Sequence, residues 1–113
     1  MKFRVKPSMK ENWRYIAFEL ISEAEPASEK DITRAILNSV TRLLGEVGAS
    51  KTNIWLLEYS KGKGLIRCSH TAVTNVVASV TTITEINDKR ALLHVLGVSG
   101  TIKKAKEKYL KKR

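Results

Sequence analysis

Cysteine is almost absent from the chain. Cys68 stands alone, which rules out an intrachain disulfide and any zinc site built on several cysteines, and fits a reducing interior. Histidine is nearly as scarce, with only His70 and His94. A nuclease or metal hydrolase needs two or more imidazoles or carboxylates brought together, and no HxH, HxxxH or DxD pairing occurs. Cys68 and His70 lie near one strand end but lack a third member, so a structural role is preferred over catalysis for each. Glutamine is missing altogether; with abundant Lys and Glu, that leans toward a thermophilic source. No apolar run approaches the roughly 18 residues of a membrane span, and residues 1–10 lack the apolar stretch of a secretory signal. A cytoplasmic protein with no membrane association is the expectation.

What the chain does have is cationic charge in two places. Its 113 residues fit one domain, burying roughly 60 to 70% of the unfolded surface. The net charge of +10 is not spread evenly. Residues 1–14 hold Lys2, Arg4, Lys6, Lys10 and Arg14 against Glu11, while residues 101–113 hold Lys103, Lys104, Lys106, Lys108, Lys111, Lys112 and Arg113 against Glu107. The segment between is electroneutral. A neutral body with two basic ends points to a polyanionic partner, because solubility requires no such segregation.

The first twelve residues show no clean period and read as a basic arm. Trp13–Ser22 alternates Ile16, Phe18 and Leu20 with Tyr15, Ala17 and Glu19, the pattern of a strand. A turn containing Pro26 ends it. Ser28 with Asp31 resembles a capping box, and Ile32, Ala35, Ile36, Val40, Leu43, Leu44 and Val47 form a helical stripe closing at Gly48, a candidate left-handed cap. Residues 52–59 and 65–69 read as strands of a hairpin around Ser60–Gly64. Residues 71–84 place Val73, Val76, Val77, Val80 and Ile83 at helical spacing, capped by Ser69 or Thr71, and 85–90 read as a polar loop before a last strand over Leu92–Val98. The order strand, helix, strand, strand, helix, strand predicts an α+β, ferredoxin-like or RNA-recognition-motif-like sandwich over residues 13–100, with an added basic helix over 101–113.

That helix has a docking face. Ile102, Ala105 and Tyr109 recur at helical spacing, Leu110 lies at the margin, and the lysines point elsewhere. Thr101 or Ser99 can cap it, and Glu107 sits four residues from both Lys103 and Lys111. Binding of nucleic-acid phosphates is preferred over a merely solvated face. Lys61 and Lys63, at the hairpin tip, divide evenly between phosphate approach and an ordinary turn. Arg67 is a candidate RNA contact, with pairing to Glu19 or Glu58 the equal alternative. An RNA-recognition motif stacks bases on aromatics of its first and third strands; the third strand here has none, so that mode is not expected. For Trp55 and Tyr59, core or partner packing outweighs base stacking. Tyr15, Glu19, Arg67 and His94, on the open side of the sheet, are the expected partner surface. The GVSG segment at Gly97–Gly100 fits either an anion site or a tight turn.

Four segments carry a specific resemblance: RYIAFELISE (Arg14–Glu23), AILNSVTRLLGEVGAS (Ala35–Ser50), GLIRCSHTAV (Gly64–Val73) and LHVLGVSGTIKKAKEKYL (Leu93–Leu110). In this order, over nearly the whole chain, they look like the archaeal and eukaryotic ribonuclease P protein subunit family, called protein component 2 in archaea; the compact form looks archaeal. Trp13 departs from the pattern, standing where relatives often carry a basic residue. The resemblance implies a role in removing the 5′ leader of precursor tRNA, with no cofactor held by the protein. The RNA subunit would do the chemistry with magnesium ions that it holds itself, and this protein would support the RNA's catalytic domain. Implied partners are that RNA, precursor tRNA, the TIM-barrel subunit called protein component 3 and other ribonuclease P proteins, in a heterotetramer with room for a homodimer of this chain. Two rivals stand beside it: a ferredoxin-like protein-interaction module, and a small stand-alone hydrolase of acylphosphatase type.

Overall fold

The computed structural model describes residues 12–23 and 28–110. The arm residues Lys2, Arg4, Lys6 and Lys10, the Pro26 turn, and Lys111, Lys112 and Arg113 lie outside them.

Strand β1, Trp13–Ser22, alternates as its sequence requires. Ile16 and Phe18 enter one apolar cluster, while Tyr15 and Ala17 enter another on the opposite face. Helix α1, Glu29–Ser50, begins at a complete capping box: Asp31 N–H donates to Ser28 Oγ at 3.2 Å, and the Ser28 N–H donates to the Asp31 carboxylate at 3.4 Å. The Asn87 amide also donates to that carboxylate, at 2.8 Å. The Asn87 bond first, then that from Ser28, hold the Asp31 carboxyl below its usual range.

The far end of α1 departs from expectation. Gly48 is not the left-handed residue; Gly45 is, with φ 78°, and it breaks the helix internally. Only glycine takes that conformation without cost. Ile32, Ile36 and Val40 are buried and Leu44 packs beside them, so the core follows this i, i+4 line. Leu43 is 51% exposed at the margin of the line, and Val47, beyond the break, is 70% exposed.

Strands β2, Trp55–Ser60, and β3, Lys63–Ser69, form the expected antiparallel hairpin. Its link is shorter than the glycine spacing suggests: Lys61 and Gly62, both with positive φ, make a two-residue turn, the type whose twist matches the flanking strands. A register shift between Leu56 and Glu58 rephases β2, so Leu56 and Tyr59 face one cluster and Leu57 the other.

Residues His70–Ala72 form a 3₁₀ turn leading into helix α2, Val73–Val80, shorter than expected. Neither Ser69 nor Thr71 caps it; Ala72 is the N-cap, without a side-chain bond. The Ser69 hydroxyl instead accepts from Asn53 Nδ2 at 3.1 Å. The buried Ser39 hydroxyl of α1 donates to the Ser79 carbonyl of α2, which joins the two helices. The expected polar loop at 85–90 is a hairpin: β4, Glu85–Ile86, turns through Asn87 and Asp88, both at positive φ, into β5, Lys89–Ser99. Asn and Asp tolerate that region better than other side chains.

Five strands thus form an antiparallel sheet in the order β2-β3-β1-β5-β4. On one face, α1 and α2 pack Ile32, Ile36, Val40, Val76 and Val80 onto Ile16, Phe18, Ile66 and Cys68. Burial pushes the Cys68 thiol up to about 11 from an ordinary 9.0. A raised thiol pKa favours the folded state fully below pH 9, and that contribution is lost as pH rises toward 11. We therefore expect Cys68 to resist iodoacetamide at neutral pH in the native protein and to react promptly in denaturant. Equal labelling rates would show that this face of the sheet is not closed.

Candidate nucleic-acid interface

The other face of the sheet carries the basic helix. Ser99 and Gly100 end β5, and Thr101 caps helix α3, Ile102–Ala105, by accepting from the Lys104 N–H at 3.1 Å. The helix continues over Lys106–Leu110 in a wider, π-type turn. Ala105 is fully buried against Ala17 and Leu65, and Tyr109 and Leu110 pack around this contact with Tyr15, Leu57 and Leu96. Gly97 admits the Tyr109 ring; a Cβ there would collide with it. The first glycine of the GVSG segment therefore serves close packing.

Two features of the expected docking face fail. Ile102 is 41% exposed, because the helix meets the sheet from Ala105 onward. Glu107 does not pair with Lys103; the helix is fastened by a different ion pair, Lys106 Nζ to Glu58 Oε1 at 3.0 Å. The register shift in β2 brings Glu58 to this side of the sheet, a signal that alternation alone hides. Lys103, Lys104 and Lys108 are exposed and carry no ion pair among the described residues. A short anchored helix thus presents three unneutralised cations.

The remaining candidates are dispersed. Lys61 is exposed on the hairpin turn, and Lys63 stands opposite Glu19 in the ladder. Arg14 is half-buried, with Nη1 donating to the Trp13 carbonyl at 2.9 Å. Arg67 pairs with neither Glu19 nor Glu58; its guanidinium lies 4.0 Å over the Trp13 ring. Tyr59 turns to the helix-covered face and stacks on Phe18, with ring centroids 6.3 Å apart, so it packs against the core rather than standing on the open side of the sheet. Tyr15 is half-covered beside α3, Glu19 is half-buried, and Trp55 is 63% exposed. The open face expected for a partner is thus partly closed by the chain's own helix.

His94 is exposed, and His70 binds the Asn12 carbonyl through its backbone N–H at 2.8 Å, fastening the start of β1. Among the described residues no group of three or more His, Cys, Asp or Glu could hold a metal ion, and no helix is long and apolar enough to cross a membrane.

Replacing Ala105 with Asp places a charge against Ala17 and Leu65, where an unpaired ion is strongly disfavoured. The expected result is faster tryptic cleavage between Lys103 and Lys108, with little change in the melting of the remaining fold. Unchanged proteolysis would mean that the helix is not held through Ala105.

Fold and surface together define a small α+β protein in which a helix docked to the sheet presents lysines without ion pairs among the described residues. The Rpp14/Pop5 family pattern matches residues 14–110. The chain is 53% identical over 107 residues to ribonuclease P protein component 2 of Methanosarcina mazei, covering 95% of this chain and 91% of that protein. It is 42% identical over 106 residues to the protein of the same name from Pyrococcus furiosus, covering 92% and 88%. This chain belongs to the Rpp14/Pop5 family. A chain in the cryo-EM structure of yeast ribonuclease MRP shares the fold, with a TM-score of 0.69 at 14% identity over 80% of this chain and 76% of that one.

Proposed function

We propose that this chain is a protein subunit of archaeal ribonuclease P, the ribonucleoprotein that removes the 5′ leader of precursor tRNA, and that it binds and supports the catalytic domain of the RNA subunit. The observation that carries this is its 53% identity, across almost its full length, to a ribonuclease P protein component 2. The structural support is α3, where Lys103, Lys104 and Lys108 are exposed without carboxylate partners while Ala105 and Tyr109 hold the helix in place. The β2-β3-β1-β5 order with both long helices on one face supports the ferredoxin-like reading, β4 being a short addition.

In mechanism the protein is a cation scaffold. Lysines held against a folded RNA reduce repulsion between its phosphates, so the RNA reaches its active shape at lower magnesium concentration. The magnesium ions are held by the RNA, and no residue of this chain takes part in bond cleavage. Lys61, Lys63, Arg14 and Arg67 are the further described cations that add to this charge. The TIM-barrel subunit, protein component 3, is the expected protein neighbour in a heterotetramer, and the cytoplasm the expected compartment.

Leader cleavage in a reconstituted reaction tests this. The protein alone should leave precursor tRNA intact, and adding it to the RNA subunit should lower the magnesium concentration at half-maximal cleavage. Cleavage without RNA, or an unmoved magnesium midpoint, would contradict it.

A further inference from the structure

We propose that the part of the sheet face left uncovered by α3 is a stacking site for one unpaired base of the RNA, with Trp55 as the platform and Arg67 as its charge. Four observations meet there. Trp55 stands directly opposite Arg67 in the β2–β3 ladder, and Arg67 opposite Tyr15 in the β3–β1 ladder, so the three share one face. Trp55 is 63% exposed, an unusual state for the largest apolar side chain. The Arg67 guanidinium lies 4.0 Å over Trp13, and its buried Nε has no hydrogen-bond partner. No carboxylate among the described residues neutralises it.

These features suit an aromatic, anionic ligand better than an apolar one. An indole and a planar guanidinium both stack on bases, and the cation also meets the adjoining phosphate. Trp13 positions Arg67 by holding its plane; it is not itself the exposed platform. The site adjoins the basic helix, because Leu65, which packs on Ala105, is two residues from Arg67 on the same strand and face. A strand whose phosphates follow α3 therefore passes the site, where an unpaired base can turn inward. The aromatic comes from the edge strand β2, which is how a sheet with no aromatic on β3 can still stack a base.

This inference rests on the RNA-binding reading and names the form of RNA bound. Trp13 and Trp55 are the only tryptophans in the chain, and both lie at the site, so intrinsic fluorescence reports on it directly. The full chain is titrated with a single-stranded oligoribonucleotide and with an abasic strand of equal length and charge. The base-bearing strand should quench the emission and bind more tightly. Trp55→Thr should weaken that strand by about 5- to 50-fold and leave the abasic affinity and the melting temperature unchanged, while Trp55→Phe should restore most of the loss. Equal, salt-sensitive binding of both strands without quenching would overturn the stacking site and leave the phosphate-gripping reading intact. No binding of either strand in dilute buffer would overturn both. If Trp55→Thr instead abolished capture of another ribonuclease P protein and left RNA affinity intact, the surface would be a protein contact and the proposal wrong.

Discussion

Replacing Lys103, Lys104 and Lys108 together with glutamine should weaken binding to the ribonuclease P RNA by about ten- to a hundredfold at physiological salt. All three are exposed on a helix whose contact with the sheet runs through Ala105 and Tyr109, so their removal takes charge and leaves the fold. Each phosphate neutralised contributes roughly 0.7 unit of salt dependence on single strands and 0.9 on duplex, so the triple variant should flatten the slope by roughly two units or more. The magnesium midpoint for leader cleavage should rise in parallel. Lys106 is a useful contrast, because its Nζ already meets Glu58. Lys106→Gln should lose less RNA affinity than the same change at any of the three lysines without an ion pair, and its main effect should be a looser helix. A triple variant with wild-type affinity and slope would remove α3 from the interface.

Phe18→Ala should cost about 3–5 kcal/mol of stability, enough to remove much of the total of about 5–15 kcal/mol that a domain of this kind possesses. Phe18 is the largest of the fully buried side chains. Its ring stacks on Tyr59 and lies against Gly64, where a Cβ would strike it. Three strands therefore meet around one ring, and none can move inward to fill the void without breaking its ladder. The urea midpoint should fall steeply with the denaturant slope little changed. Leu43→Ala, on a residue 51% exposed, should fall within about 0.5 kcal/mol of the wild type. Equal losses at the two positions would mean that the core is not where the two clusters place it.

Much of the fold was legible because local chemistry and tertiary demand agree at Ser28, Ile32, Ile36, Val40, Phe18 and Gly62. What was not legible depended on phase. The irregularity in β2 and the shift between Ala17 and Phe18 in the β1–β5 pairing change which side chains share a face, and a strict period of two cannot show it. The sequence pointed to Gly48 as the left-handed residue, and Gly45, three residues earlier, is the one that breaks α1. The Asn87–Asp88 turn hid a hairpin within a polar stretch that read as a loop. At the site, the lysines were plain in the sequence. The fastening of their helix by Glu58, and the placing of Arg67 over Trp13, depend on neighbours brought together from distant strands.

The most direct single measurement is the affinity of the wild-type protein for the catalytic domain of the RNA at several salt concentrations. If cationic side chains on the docked helix grip phosphates, affinity should fall by about ten- to a hundredfold or more between roughly 50 and 200 mM salt, linearly on logarithmic axes. An affinity indifferent to salt, or no binding at the lowest concentration, would contradict it.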